Sequence, residues 1–107
     1  MSRRKSKIVW SRLAELDLES AHEYLAKRNS EAARRFASGI LDALARISQH
    51  PEIGAPATDL MPEGKYRHAI CGRYRVIYRL AEGTVVILRI WDTRRNPDDM
   101  IPEADPR

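Results

Sequence analysis

The sequence predicts an α+β domain of order β-α-α-β-β-β, in which a helical hairpin packs on one face of an antiparallel sheet. Three observations predict this fold: a short strand-like run opens the chain, two amphipathic helical segments follow, and three strand-like runs close it. A chain of 107 residues is long enough for one core but not for two. We therefore expect a single domain over 1–107, with an ordered core of about 5–97 and a tail at 98–107 that can be flexible.

Two helices are predicted in the first half of the chain. The first runs over 13–28, with Ser11 as its N-cap and Asn29 as a left-handed stop. The second begins at Ser30 as its N-cap and ends before Pro51, because the residue before a proline is pushed out of the helical region. The connection between the two predicted helices is very short, which indicates that they form an antiparallel hairpin. The predicted buried stripes are Ala14, Leu18, Ala21 and Leu25 on the first helix, and Ala33, Phe36, Ile40, Leu44 and Ile47 on the second.

Strand signals return after a long loop at 51–64. Between Arg73 and Leu80 apolar residues alternate with arginines, which predicts a half-buried strand with one apolar face and one arginine face. The last apolar run has no polar face, as expected of a central strand. The predicted strands are Lys7–Trp10, Tyr66–Cys71, Tyr74–Leu80 and Thr84–Trp91. The helical hairpin is expected on one face of the sheet and the arginines on the other.

Positive charge is concentrated in the second half of the chain. From Lys65 to Arg95 eight basic residues stand against two acids, a net charge of +6, although the whole chain carries only +4. Concentrated positive charge on a rigid sheet attracts a polyanion or an acidic partner protein. The candidate contacts to such a target or partner are Arg67, Arg73, Arg75, Arg79, Arg94 and Arg95. For Arg73, Arg75 and Arg79 the alternative is a solvated sheet face that pairs with helix acids.

Several classes of protein are excluded by composition. No apolar run is long enough to cross a membrane, so no membrane partner is expected, and the basic N-terminus lacks the apolar region of a secretory signal. Cys71 is the only cysteine, which fits a reducing cytoplasm. Neither His22 nor His50 has a partner at ligand spacing, so we expect no metal and no cofactor. His68 alternates with Arg67 along its strand and is expected to be structural, on the side away from the arginines.

The order of these elements, together with three short segments, resembles the ParE/RelE superfamily of toxins from bacterial type II toxin–antitoxin systems. The segments are the loop His50–Gly54, the strand Tyr74–Arg79 and the closing run Arg94–Pro97. The resemblance covers nearly the whole chain. It implies a cytoplasmic, growth-inhibiting bacterial toxin with a role in plasmid stabilisation. It also implies a cognate antitoxin encoded by the adjacent gene. The toxin would contact operator DNA only through this antitoxin.

The superfamily contains two activities. RelE-like members resemble ribosome-dependent mRNA endonucleases, which need cations and a proton-transfer partner around a phosphate. The arginines matching that pattern are Arg67, Arg75 and Arg94. However, Ala69 stands where a second basic residue is expected, and Asp99 or Met100 stands where a terminal aromatic would fall.

ParE-like members are similar to inhibitors of DNA gyrase, and this sequence is closer to them. The leading hypothesis is therefore a gyrase-binding toxin without an assigned catalytic residue. One alternative is an mRNA endonuclease that acts with the ribosome. The other is a degenerate, non-toxic corepressor that still binds its antitoxin.

Overall fold

A computed structural model describes residues 5–60 and 65–100. Within them the elements are β1 (Lys7–Trp10), α1 (Arg12–Arg28), α2 (Ser30–Gln49), β2 (Ala55–Pro56), β3 (Tyr66–Cys71), β4 (Tyr74–Ala81), β5 (Thr84–Asp92) and a 3-10 turn (Pro97–Asp99). The predicted α+β class and element order are confirmed. The structure adds the two-residue strand β2, which lies in the predicted long loop. Neither helix in this part of the chain is long and apolar enough to span a membrane.

The five strands form one mixed sheet in the order β1-β5-β4-β3-β2. The sheet was predicted to be antiparallel, but β1 runs parallel to β5, with Lys7 opposite Thr84. The chain path explains this difference. The end of α2 returns to the start of β1, where the Ser48 hydroxyl donates to the Ser6 carbonyl at 2.7 Å. Three antiparallel strands then follow, so the last of them, β5, runs in the same direction as β1.

A bulge in β5 fixes the start of the first helix. Tyr78 pairs with Ile87 while Ile77 pairs with Arg89, so Leu88 is an extra residue on β5. The Ser11 hydroxyl donates to the Leu88 carbonyl at 2.9 Å and accepts from the backbone N–H of Ala14 at 3.0 Å. The prediction of Ser11 as the N-cap of α1 is therefore confirmed, and this cap also ties α1 to the central strand.

The junction between the two helices differs from the prediction. Asn29 has an extended backbone, with φ at −164°, instead of the left-handed conformation that we expected. Its side-chain oxygen accepts from the N–H groups of Glu31 and Ala32, so Asn29 is the N-cap of α2 and Ser30 is its first residue. The short amide side chain satisfies two N–H groups at once, which favours this cap.

Two hydrophobic clusters lie on opposite faces of the sheet. The helix-side cluster contains four of the five residues of the predicted α2 stripe, and the fifth, Ala33, is also buried. The cluster is formed by Ala14, Phe36, Ile40, Leu44, Ile47, Tyr74, Val76, Tyr78, Val85, Ile87 and Ile90. The far-side cluster is formed by Ile77, Val86, Leu88, Trp91 and Met100, with Leu60 and Tyr66 packed against it. The face predicted to carry the arginines thus has an apolar centre. Met100, in the tail, is buried there, whereas 101–107 lie outside the described residues.

Candidate functional site

Arg75 is the most firmly held of the candidate arginines. Its Nη1 and Nη2 atoms each lie 3.1 Å from an oxygen of the Asp59 carboxylate, and its Nε donates to Nδ1 of His68 at 2.9 Å. The Arg75 side chain is only 12% exposed, whereas that of Asp59 is 53% exposed. The guanidinium is therefore a fixed fork on the far side of the sheet, and its ligand is a carboxylate of the same chain.

Strand register corrects the predicted faces of two neighbouring residues. Arg67 pairs with Tyr78, and His68 pairs with Ile77. Arg67 therefore lies on the helix side of the sheet, and His68 lies on the far side with Arg75. The sequence predicted the reverse. Alternation along β3 fixes only that the two residues point to opposite sides, whereas the pairing register decides which side each takes.

Arg67 and Tyr78 together hold the loop that follows α2. Arg67 Nη1 donates to the carbonyls of Gly54 at 2.7 Å and Glu52 at 3.2 Å. The Tyr78 hydroxyl accepts from the Gly54 N–H at 2.9 Å and donates to the Pro51 carbonyl at 2.8 Å. Burial raises the pKa of Tyr78, which keeps the donating hydroxyl protonated. The hydrogen bonds of Arg67 are thus made to the backbone of its own chain.

His68 is the acid–base side chain that contacts the Arg75 fork. Burial lowers its pKa, and the neighbouring Arg75 charge lowers the pKa further, although the carboxylate of Asp59 opposes both effects. The neutral imidazole accepts at Nδ1 and carries its proton on Nε2. Sequence reasoning missed this contact, because it placed His68 on the other face; the β3–β4 register was the signal needed to find it.

A second group of arginines follows the end of β5. Arg94 forms an ion pair with Asp92, with Nη2 2.9 Å from Oδ2, and its side chain is 56% exposed. The hydrogen bonds from Arg94 hold the pKa of Asp92 below its usual range. The guanidinium of Arg95 lies over the Trp91 ring, 4.2 Å from its centroid. Arg94 and Arg95 line a cavity of about 360 Å³ together with Tyr24 on α1.

Of the two remaining candidates, Arg73 lies beside the second group, because its charge acts on Asp92, whereas Arg79 lies elsewhere on β4. Arg73 is exposed in the turn between β3 and β4, and its carbonyl accepts from both the N–H and the hydroxyl of Thr93 at 2.8 Å. Arg79 is half-buried on β4, opposite Tyr66 and Val86. The six candidates therefore occupy several places on the sheet and its ends instead of a single face.

Arg89, which was not a candidate, makes a buried ion pair with the first helix. Its Nε lies 2.7 Å from Asp17 Oδ2 and its Nη2 lies 2.9 Å from Asp17 Oδ1. The same carboxylate accepts from the backbone N–H of Ile90 at 3.0 Å. Both side chains are about one-tenth exposed. The pair joins α1 to the central strand, so one of the eight charges in the basic segment is structural.

The family of the chain follows from comparison with known proteins. The family model described as ParE toxin of type II toxin-antitoxin system, parDE, matches residues 8–97. This chain belongs to the ParE toxin family. A search of curated proteins gave no match.

Two solved structures are similar to this ParE-family chain. A chain of the chromosomal ParDE toxin–antitoxin system from P. aeruginosa has a TM-score of 0.69 at 19% identity, covering 84% of this chain and 98% of that one. A chain of the toxin–antitoxin complex RelBE2 from Mycobacterium tuberculosis has a TM-score of 0.56 at 27% identity, covering 80% and 88%. The first likeness shows the fold alone, and both agree with the resemblance drawn from the sequence.

The arrangement in this ParE-family chain offers cations for binding, but it does not bring the three RelE-type arginines together. Arg67 lies on the helix side, Arg75 lies on the far side, and Arg94 follows the end of β5. Within residues 5–60 and 65–100, no group of three His, Cys, Asp or Glu side chains is placed to hold a metal ion.

Proposed function

We propose that this protein is a growth-inhibiting toxin that acts in the bacterial cytoplasm by binding DNA gyrase, and that a cognate antitoxin holds it inactive. Membership of the ParE family supports the assignment of this chain as a toxin and the existence of a cognate antitoxin. The choice of gyrase over mRNA rests on one observation, the separation of the three arginines that an RNA-cleaving site would need.

Cleavage of RNA by its own 2′-hydroxyl needs cations that converge on one phosphate and a group that transfers protons. Arg67 and Arg75 are on opposite faces of the sheet, and the guanidinium of Arg67 is engaged by backbone carbonyls. Arg94 follows the end of β5 and is paired with Asp92. Cations so divided suit contacts to separate acidic groups of a large partner better than chemistry at a single phosphate.

A second candidate function, mRNA cleavage, is favoured by the contact between His68 and Arg75. A neutral imidazole beside an arginine is a proton-transfer group next to a cation, a combination that the sequence alone does not reveal. Against this candidate, the Asp59 carboxylate already occupies the guanidinium fork that would bind the phosphate.

Induction of the toxin alone separates the two candidates. We expect filamentation and a DNA-damage response while bulk protein synthesis continues at first. We also expect the purified protein to inhibit supercoiling by gyrase in vitro. Rapid loss of translation, with mRNA cut at codon boundaries, would favour the endonuclease. Normal growth despite tight antitoxin binding would identify a corepressor.

The variant His68→Asn sharpens this test, because asparagine keeps a hydrogen-bond acceptor near the position of Nδ1 but cannot transfer protons. A gyrase-binding toxin should remain toxic with this change. An endonuclease that uses His68 should lose its activity while keeping its fold, which circular dichroism would check.

A further inference from the structure

Two cavities adjoin at Tyr74, where the end of α1, the β3–β4 turn and the segment after β5 come together. The first is the cavity of about 360 Å³ that is lined by Arg95 and Tyr24. The second, of about 410 Å³, is lined by Arg73 of the turn and Arg35 of α2. Tyr74 lines both cavities, so they form one groove, which we term the Tyr74 groove.

The acidic side chains of this groove are already neutralised. Asp17 and Asp92 line its first cavity. Asp17 is bound by Arg89, and Asp92 is bound by Arg94. Among the described residues that line the second cavity there is no acid. A negatively charged ligand in the groove would therefore meet no carboxylate that lacks its own cation.

Three arginines leave the groove with an excess of positive charge. Arg73 and Arg95 line it, and the guanidinium of Arg28 lies over the ring of Tyr24, 3.9 Å from its centroid. All three arginines are exposed, and none of them makes an ion pair within residues 5–60 and 65–100. Because these charges are uncompensated, the groove attracts an anion with several charged groups.

Aromatic rings lie between these arginines. Tyr24 is 46% exposed, although Arg28 covers one side of its ring. The ring of Tyr74 packs against Phe36 with 4.8 Å between centroids, which holds it in place. Arginines interleaved with aromatic side chains are typical of sites for single-stranded nucleic acid, where phosphates meet the cations and bases stack on the rings. An acidic peptide would use the arginines but not the rings.

We propose that the Tyr74 groove binds single-stranded nucleic acid, with phosphates at Arg28, Arg73 and Arg95 and a base stacked on Tyr24. The three arginines belong to the end of α1, the β3–β4 turn and the segment after β5, so they can contact successive phosphates of one strand. Contacts to phosphates and ring faces carry little sequence information, so binding is tolerant of sequence. This inference goes beyond the proposed function, and it is tested without gyrase.

A labelled oligothymidylate of about 12 nucleotides provides the probe, because sites for single strands span about 4–16 nucleotides. It lacks the 2′-hydroxyl, so binding is measured without cleavage. The full chain is titrated into it at low salt, with fluorescence anisotropy as the readout. We expect binding that weakens steeply as salt rises. A labelled glutamate peptide of equal charge should bind at least about tenfold more weakly. Inorganic phosphate should displace the oligonucleotide no better than chloride at equal ionic strength.

Matched arginine variants locate the phosphate contacts. Arg73→Ala should weaken binding and reduce the slope of log affinity against log salt by about 0.7, the value for one phosphate contact of a single strand. Arg34→Ala is the control, because Arg34 is an exposed arginine of α2 that lines neither cavity. It should leave both the affinity and the slope unchanged.

A pair of changes at Tyr24 tests the stacked base. Tyr24→Leu removes the ring and should weaken binding by about tenfold. Tyr24→Phe keeps the ring and should bind as the unmodified protein does. Circular dichroism checks that each variant is folded.

Several results would overturn the proposal. Equal affinity for the glutamate peptide would assign the groove to an acidic protein, and displacement by phosphate beyond the chloride control would assign it to a free anion. Equal effects of Arg73→Ala and Arg34→Ala, or of the two Tyr24 changes, would contradict the assigned contacts. Failure of the oligonucleotide to bind at low salt would remove the nucleic-acid site and leave gyrase binding untouched, because the supercoiling assay measures that separately.

Discussion

The guanidinium of Arg75 is bound by the carboxylate of Asp59 through two hydrogen bonds of 3.1 Å each. Asp59 belongs to the segment after β2, which crosses the far side of the sheet and packs Leu60 against the far-side cluster. The hydrogen bonds from Arg75 lower the pKa of Asp59, and the Arg75 charge lowers it further, which keeps this carboxylate ionised. Asp59 thus occupies the position that an acidic group of a partner would take.

Replacing Asp59 by asparagine should make Arg75 available. If Arg75 contacts the target, Asp59→Asn should stop growth at a lower inducer concentration than the unmodified protein. The change in unfolding free energy should stay within about 1 kcal/mol, because Asp59 is half-exposed and the water around it screens the pair. The control is Glu31→Gln, which removes a carboxylate from the Arg34 ion pair on α2. Equal or weaker toxicity of Asp59→Asn would show that Arg75 is only a structural anchor.

Arg94 is the better arginine for testing the target surface by truncation. It is exposed and pairs only locally with Asp92, so Arg94→Ala should lower toxicity while the melting temperature stays near that of the unmodified protein. Arg34→Ala removes an acid-paired arginine from α2 that is even more exposed than Arg94, and it should keep full toxicity. The measurements are growth after induction and thermal unfolding. Full toxicity of a folded Arg94→Ala protein would remove Arg94 from the target surface.

Arg75→Ala is a less specific test of target binding than the sequence predicts, because the change also affects folding. The sequence predicts an exposed side chain whose loss leaves stability unchanged. In the structure Arg75 is largely buried and makes three side-chain hydrogen bonds. Its removal should therefore cost about 1–3 kcal/mol, so a loss of toxicity in Arg75→Ala would mix binding with folding.

The Asp17–Arg89 pair should be a major determinant of stability. Truncating Asp17 to alanine leaves the Arg89 charge nearly buried without its carboxylate, and we expect a loss of about 3–5 kcal/mol in urea unfolding. The double variant Asp17→Ala with Arg89→Met should be more stable than Asp17→Ala alone, because it no longer buries that charge. A loss below about 1 kcal/mol for Asp17→Ala would mean that water reaches the pair and screens it.

Two glycines should respond very differently to alanine. At Gly54 an added β-carbon would lie 2.5 Å from the Tyr78 hydroxyl and 2.7 Å from the backbone oxygen of His68, so Gly54→Ala should cost about 1–3 kcal/mol or more. At Gly39 the contact is 3.0 Å to the sulfur of Cys71, a side chain that can move. Alanine also favours the helix by about 1 kcal/mol, so Gly39→Ala should be nearly neutral. Urea unfolding measures both, and equal losses would contradict the distinction.

The sequence predicts the local elements of this fold well, because local patterns specify them. The α2 stripe was predicted from its spacing, and Ser11 was predicted as a cap from its position before an apolar periodic run. The parallel pairing of β1 with β5 depends instead on how the helical hairpin returns the chain, which no strand pattern records.

The candidate site was less predictable for the same reason. Alternation identified Arg75 and Arg79 as residues of one face, but it carried no information on the register of β3, so Arg67 and His68 were exchanged between faces. Nor does a pattern reveal which arginines are already paired. Asp17 and Arg89 are separated by 72 residues in sequence and meet only in the folded chain.

Acidification should destabilise the protein through His68. Its pKa in the folded chain lies below the ordinary value of 6.5, so below about pH 6.5 the unfolded chain binds more protons than the folded one. The unfolding free energy should therefore fall as the pH drops from about 7 through this range. The lowered pKa values of Asp59 and Asp92 change the unfolding free energy only at more acidic pH, below the ordinary pKa of 3.8.

The variant His68→Asn isolates this effect. Asparagine cannot titrate, but it keeps an acceptor for Arg75 Nε, so its urea midpoint should change less between about pH 7.5 and pH 5.5 than that of the unmodified protein. His22→Asn is the matched control, because His22 is exposed on α1 and the pH dependence should be retained without it. If His68→Asn and the unmodified protein lose the same stability over this interval, another group must titrate there, and the neutral His68 that accepts from Arg75 would no longer explain the pH response.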